Sequence, residues 1–406
     1  MTLALHILEL LVFAFFAATV AYTLFFSIAG HFLKQKSTTQ EGKFSRIAIL
    51  IPAYKEDSVI IGAAESMLQL EYPKESFDVF VIADKLEQAT LGKLKKLPIH
   101  VVEVQFEKST KTKSLNFCLG QMEHSAFDLI LISDADNILE KTFLKRVNNA
   151  FLQGHRAIQG RRVAKNAETN MAVLDGASEA INNHVFRQGP SNLGLSASLI
   201  GSAMAFSTND VTDALSSIQA VGGFDKVLQL SIIEKGNTIH YLPDAIAYDE
   251  KVSTHGNFQN QRKRWLYSQY RYLAKFFGKG LAMLFRGNID YFNIAILHNL
   301  FLPRVLNLGL LPILTGLSLL FQNYLAVTPL AWAILFLTYA FALALALPKK
   351  YYSWKVVMAL AALPKGFLGM FTLLFKLKGA DKQFIHTTHT QVEVEKNLLS
   401  ADESKK

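Results

Sequence analysis

Ser133-Asp134-Ala135-Asp136 follows directly on the apolar run Leu129-Ile130-Leu131-Ile132. A turn that carries two carboxylates at the end of a buried strand can hold a divalent cation. Mg²⁺ or Mn²⁺ takes one or two carboxylates and fills its other positions with water and phosphate oxygens, which suits a diphosphate leaving group. Tyr54 and Glu56 follow a second apolar run, Ile47–Ala53, and Asp84 closes a third, Asp78–Asp84. Turn carboxylates also serve as helix caps, and a bare Asp-x-Asp is common. Several acids at successive run ends on one edge point instead to a ligand. Further on, Gln261, Arg264 and Trp265 are spaced so that a helix presents them on one face. A guanidinium there can hold a phosphate bidentately and an indole offers an apolar plane to a sugar ring. The alternative for this element is an amphipathic anchor with an interfacial Trp.

The elements that must position these residues alternate from Arg46 onward. Short apolar strands at Ile47–Ala53, Asp78–Asp84, His100–Val104 and Asp128–Ser133 are separated by helices at Val59–Leu70, Leu86–Leu97 and Thr112–Glu123. This order predicts an α/β fold whose mostly parallel sheet is covered by helices on both faces, with ligands at the carboxyl ends of the strands. Further strands are expected near Ala157–Val163, Leu199–Ser207 and Ile239–Tyr248, with a Gly222-Gly223 turn and a short helix to Gly236 before the last.

Half of the 406 residues are hydrophobic and thirty are Phe, more apolar than a soluble enzyme needs, so a membrane component is expected. The run Leu10–Gly30, about 21 residues, is long enough to span roughly 30 Å of hydrocarbon. Glu9 precedes it and Lys34, Lys36, Lys43 and Arg46 follow, which by the positive-inside rule places the next domain in the cytoplasm. Cys118 is the only cysteine, so neither an intrachain disulfide nor a cysteine zinc site can form. The net charge of +9 lies largely beside the apolar segments, where it fits a lipid bilayer rather than nucleic acid. Phe258–Arg286 mixes seven cations with aromatic and Leu residues, as interfacial helices do. A transmembrane hairpin is expected at Ile294–Phe321 and Leu325–Leu347, with Arg304 turned to protein or water. Val356–Phe375, interrupted by Pro364-Lys365-Gly366, reads as an in-plane or re-entrant helix, with a further span as the alternative. The resulting division is an anchor (1–33), a cytoplasmic domain (44–257), interfacial helices (258–290), membrane helices (291–376) and a cytoplasmic tail (377–406). An integral protein of the inner or plasma membrane is implied.

Taken in order, Ile51-Pro52-Ala53-Tyr54-Lys55-Glu56, Asp84, Lys111 with Leu115-Asn116, Asp134-Ala135-Asp136 and Gln261-Arg262-Lys263-Arg264-Trp265 resemble the family-2 glycosyltransferases. The set is most similar to the membrane branch that holds the cellulose, hyaluronan, chitin and poly-N-acetylglucosamine synthases. The resemblance implies a GT-A-type fold and inverting transfer of a sugar from a nucleotide sugar, a UDP-sugar in most of the branch, to a growing polysaccharide. Transfer to a membrane lipid, as in ceramide glucosyltransferases, is the alternative acceptor chemistry, and a nucleotide-sugar-binding scaffold without activity is a third reading. Residue by residue, it implies that Asp84 accepts hydrogen bonds from the base, with Tyr54 and Glu56 lining the nucleotide pocket. Asp134 would lie near the donor sugar and Asp136 would ligate the metal. Lys111 would add charge near the phosphates, although Lys108 and Lys113 also allow a solvated basic turn. Gln261 and Arg264 would meet the diphosphate, and Trp265 the acceptor. Gly201-Ser202 resembles a small-residue turn near the acceptor, with plain strand packing as its alternative.

One departure affects the chemistry. Where the family carries Glu-Asp or Thr-Glu-Asp, with the Asp as general base, this chain reads Gly222-Gly223-Phe224-Asp225. Asp225 is the expected base, with Asp249 or Glu250 behind it and helix capping as the other use of Asp225. Phe384-Ile385-His386-Thr387-Thr388-His389-Thr390 is similar in position to the segment that covers the donor in cellulose synthase, and reads equally as a polar tail.

Overall fold

The computed structural model describes residues 2–32, 42–218, 222–251, 255–376 and 392–394. The proposed lid segment 384–390 lies outside them. Eight strands form one sheet: β1 Ile47–Tyr54, β2 Phe77–Asp84, β3 His100–Val104, β4 Leu129–Ile132, β5 Ile138–Leu139, β6 Ala157–Ala164, β7 Met204–Ser207 and β8 Ile239–Asp249, in the spatial order β3-β2-β1-β4-β7-β6-β8-β5. β3, β2, β1 and β4 run parallel and in register, so Tyr54 pairs with Asp84 and Leu50 with Ile132. That register sets the carboxyl ends of β1, β2 and β4 along one edge. β7 is inserted antiparallel between β4 and β6, which makes the sheet mixed.

Strand side chains alternate between faces. Ile47, Ile49 and Ile51 enter a core with Ile60, Met67 and Phe143, from helices α2 (Ile60–Leu68) and α5 (Phe143–Leu152), while α3 (Gln88–Leu94) adds Leu94. Ala48 and Leu50 enter the opposite core with Leu115, Val211 and Leu228, from α4 (Lys111–Gln121), α8 (Thr208–Ser216) and α9 (Phe224–Glu234). The fold is the expected GT-A-like α/β sandwich.

α1 (Thr2–Ala29) packs on α14 (Pro329–Ala346), and α14 on α13 (Arg304–Leu320), through Phe16, Val20, Leu311, Trp332, Tyr339 and Leu343. Among the described residues, three helical stretches are long and apolar enough to cross a membrane: Leu3–Ala29, Pro329–Ala346 and Trp354–Leu374. A fourth candidate is bent by 59° between Ile289–Leu300 and α13. Its first arm is α11 (Ile289–Phe292), a π-helical turn and α12 (His298–Leu300), and Pro303 precedes α13. Trp354–Leu374 comprises α15 (Trp354–Ala359), a 3₁₀ turn and α16 (Leu363–Leu374). Pro364 stands in the first turn of α16, where a missing N–H costs nothing, so the expected interruption is absorbed. Arg304 faces protein, as its charge demands: it donates to Asn182 Oδ1 (2.9 Å) and to the carbonyl and hydroxyl oxygens of Ser178 (2.7 Å each), on α6 (Asn170–Asn183).

The basic stretch forms one helix of 31 residues, α10 (His255–Phe285). Leu266 is buried against Leu306, Met370 and Leu373, which ties α10 to α13 and α16. Gln269 Nε2 donates to the carbonyls of Asn299 (3.1 Å) and Phe301 (2.8 Å). These contacts hold the Gln-x-x-Arg-Trp segment over the sheet edge.

Candidate active site

The loops that leave β1 and β2 begin with Lys55 (φ 55°) and Lys85 (φ 57°), both left-handed, and Lys55 N donates to Asp84 O at 3.1 Å. Left-handed backbone at non-glycine residues costs energy and clusters at ligand sites. The same conformation recurs at Gly201 (φ 82°) and Ala203 (φ 52°), in the turn before β7. Together these loops, the ends of β4 and β8, α6, the first turn of α9 and one face of α10 enclose a cavity of about 590 Å³. Tyr54, Glu56, Asp84, Lys111, Asp134, Asp136, Gly201, Asp225, Gln261, Arg264 and Trp265 all line it.

Ser202 corrects the expectation of an acceptor contact. It is fully buried behind the cavity wall, accepts a hydrogen bond from Asp134 N (2.8 Å) and donates to Asn137 Oδ1 (2.5 Å). Its hydroxyl therefore positions the Asp-x-Asp turn from behind. Asn137 then donates to Asp136 Oδ1 (3.3 Å) and Asp249 Oδ1 (3.2 Å).

Asp134, Asp136 and Asp249 each offer an oxygen within 4.8 Å of the others, a donor set of hard carboxylates that fits Mg²⁺ or Mn²⁺. The carboxylates are oriented by their neighbours: Glu250 N donates to Asp136 Oδ2 (3.1 Å) and Lys165 Nζ to the Asp136 carbonyl (2.7 Å). Burial alone would raise the Asp249 pKa, but Arg162 and Lys251 hold it down at about 2. A carboxylate so acidic is a poor proton acceptor, so the structure moves Asp249 from reserve base to candidate ligand. Sequence reasoning carries Asp249 only as an alternative base behind Asp225, not as a metal ligand. What it lacked was the parallel pairing of β8 with β6, which aligns Asp249 with Ala164 and brings it to Asp136.

At the opposite end, Asp84 is 1% exposed and, among the described residues, neither carboxylate oxygen has a partner at hydrogen-bond geometry, Ser109 standing nearby without completing one. Burial raises its pKa, with Ser109 and Lys85 partly offsetting this. An orphaned buried acceptor pair at a cavity wall is completed by a ligand that brings N–H donors.

Between the two stands Lys111, which donates to Asp134 Oδ1 and to the Gly201 carbonyl (2.7 Å), its ammonium 5.5 Å from the Phe224 ring centroid. Asp225 lies in the first turn of α9, after Gly223, whose φ of 66° and whose approach to Tyr272 exclude a Cβ. Burial raises the Asp225 pKa, while Lys226 and Lys111 pull it partly back. An aspartate tuned upward at a cavity wall suits a proton acceptor. Arg264 is half-buried, and Trp265, 41% exposed, is stacked by the Arg262 guanidinium at 4.5 Å, with Arg262 paired to Asp175.

A buried charge network that the sequence did not suggest closes the inner side. Glu179 pairs with Arg162 (2.9 Å) and Arg187 (3.0 Å) and lies 3.9 Å from Lys251. Isolated on α6 among Ala, Ser and Asn, Glu179 gives no motif signal, since its partners come from β6, the π-helical turn His184–Gln188 and the loop after β8.

A sequence profile described as "Glycosyltransferase like family 2" matches residues 45–268. The probable glycosyltransferase YdaM of Bacillus subtilis (strain 168) is 24% identical over 251 residues, covering 57% of this chain and 58% of its own length. The chain thus spans a little over half the length of that curated relative. Among solved structures, the mannosyltransferase PcManGT from Pyrobaculum calidifontis, in complex with GDP-Man and Mn²⁺, superposes with a TM-score of 0.53. It is 16% identical and covers 88% of this chain and 98% of its own, a likeness of fold. With the profile spanning more than half of its residues, the chain belongs to the glycosyltransferase family 2-like proteins.

Proposed function

We propose that this protein is an inverting glycosyltransferase of the membrane branch of family 2, which moves a sugar from a nucleotide-sugar donor to an acceptor hydroxyl at the membrane surface. The observation that carries this reading is the convergence in one cavity of the Asp134–Asp136–Asp249 cluster, the buried Asp84 and the half-buried Asp225. Asp84, flanked by Tyr54 and Glu56, binds the base of a UDP-sugar; GDP-Man in the PcManGT structure shows that donors of that fold also include GDP-sugars. Asp134, Asp136 and Asp249 would hold Mg²⁺ or Mn²⁺, which would supply positive charge against the diphosphate. Arg264 and Gln261 close over the diphosphate, and Trp265 packs against the acceptor. Asp225 takes the acceptor hydroxyl proton as its oxygen forms a bond to the anomeric carbon. The bond from that carbon to the diphosphate breaks, and the nucleoside diphosphate leaves with the electron pair. Attack opposite to the leaving group inverts the configuration.

The chain divides, on this reading, into a membrane anchor (1–33), a cytoplasmic catalytic domain (44–257), the Gln-x-x-Arg-Trp helix (258–290), membrane helices (291–376) and a tail. Of the two acceptors open from the sequence, a lipid-borne one is favoured over a polysaccharide threaded through the membrane. In the described helix bundle Phe16, Trp332, Tyr339 and Leu343 pack against one another at the contact of α1, α13 and α14. The inactive-scaffold reading loses support because Asp225, the residue expected as the motif's base, lines the cavity although the motif's Glu is missing. The test is a panel of nucleotide sugars supplied to membranes holding the full chain. Metal-dependent release of nucleoside diphosphate, with label from one donor passing into an organic-extractable product, is the expected result. No release from any donor overturns the transferase reading, and label in high-molecular-weight glycan overturns the lipid acceptor.

A further inference from the structure

The innermost end of the cavity carries positive charge that nothing in the donor half uses. Lys226, the residue after Asp225, lines this end together with Arg187 and His298. Its ammonium has one hydrogen-bond partner, the side-chain oxygen of Asn299 at 2.8 Å. Asn299 is itself spent on holding the bend, donating to the carbonyls of Ile294 (2.9 Å) and Ala295 (3.2 Å). No carboxylate among the described residues lies within 4 Å of Lys226, and Asp225 acts on it only at longer range. Arg187, 4% exposed, shares the single carboxylate of Glu179 with Arg162. Burial lowers the Lys226 pKa, and the neighbouring Asp225 offsets this only in part.

A lysine is also the wrong charge for this position. The first turn of a helix favours anions, and a cation there is repelled by the helix dipole. A half-buried ammonium held by an amide, at an unfavourable helix end, lining the cavity beside a residue placed at the reacting hydroxyl, is completed by an anion.

Resting on the transferase reading above, we infer that the acceptor carries an anionic group, a phosphate or a carboxylate, that docks on Lys226 and so brings the neighbouring hydroxyl to Asp225. Two sources share this chemistry, the phosphate of a lipid headgroup and the carboxylate of an acidic sugar. Neutral acceptors leave Lys226 uncompensated and bind less well.

The experiment uses the full chain in detergent and four probes in two matched pairs: farnesyl phosphate with farnesol, and octyl glucuronide with octyl glucoside. Affinity is read from ligand-induced thermal stabilisation. At least one anionic probe is expected to bind the wild type at least tenfold more tightly than its neutral mate; the pair that shows this identifies the source. That preference should fall below threefold in Lys226→Met and persist in Lys226→Arg. Asn299→Asp, which sets a carboxylate against Lys226 without removing it, should also abolish the preference and serves if Lys226→Met does not fold. Equal binding of charged and neutral mates in both pairs, or an undiminished preference in Lys226→Met or Asn299→Asp, overturns the inference. UDP affinity, measured on the same wild-type preparation, separates the two readings: its absence counts against the donor assignment and leaves the anion result standing.

Discussion

Lys251 Nζ lies 2.8 Å from Asp249 Oδ2, and both side chains are largely sealed from solvent at the end of β8. The lysine keeps the carboxylate ionised far into acid while leaving its other oxygen, held by Asn137, toward Asp134 and Asp136. Asp249→Asn should therefore raise the Mn²⁺ concentration for half-maximal nucleoside diphosphate release by about tenfold or more, as lost or disturbed metal ligation does. A metal titration checks this. An unchanged midpoint would remove Asp249 from the ligand set.

Asp225 works as a base only when ionised. Because its folded pKa is raised, activity should rise with pH along a limb displaced above that of an ordinary aspartate. Lys111 pulls this pKa down, so Lys111→Met should move the limb to still higher pH, in addition to any loss of rate. Asp225→Asn should reduce transfer by about 10²-fold or more while nucleotide binding persists. The pH dependence of kcat/KM in the wild type and in Lys111→Met is the measurement.

Asp84 predicts opposite signs for stability and binding. Its unpaired, buried carboxylate burdens the empty protein, so Asp84→Asn should raise the Tm without nucleotide. The same change replaces one acceptor by a donor facing the base, and should weaken UDP binding by roughly 10- to 100-fold, about 1–3 kcal/mol. Calorimetric titration with UDP beside a melting curve reads both. A drop in Tm would mean that Asp84 has a structural partner.

These three residues show how far the sequence reaches. Asp84, Asp134 and Asp136 end strands whose parallel order follows from short apolar runs between helices, so their common edge was legible. Asp225 is reached from its place after the Gly222-Gly223 turn, since the Glu of the motif is missing. Asp249 was legible only as a reserve base, and Lys251 and Glu179 not as site residues, because the contacts that bring Asp249 to Asp136 and Lys251 to Glu179 join positions 113 and 72 residues apart in the chain. The antiparallel β7 escaped for a similar reason: strands of four residues carry no directional signal. Ser202 was placed on the right loop with the wrong role, since exposure within a turn is not encoded in spacing.

The anchor offers a stability test remote from the cavity. A Cβ on Gly189, in the short helix α7 (Gly189–Asn192), would stand 2.5 Å from the Phe26 carbonyl oxygen of α1. Backbone cannot yield there as a flexible side chain would, so Gly189→Ala should cost about 1–3 kcal/mol and lower the Tm in detergent. Unchanged melting would show that α1 is not clamped to this face.

If the chain crosses a bilayer as proposed, the 59° bend before Pro303 would give the bilayer a lever on the reaction. Its first arm carries His298 to the cavity wall and Asn299 to the Lys226 ammonium, while its second arm would lie among the lipid chains. A helix that leans to match thinner or thicker hydrocarbon would drag the wall of the pocket with it. Acyl-chain length would then become a kinetic variable for this protein.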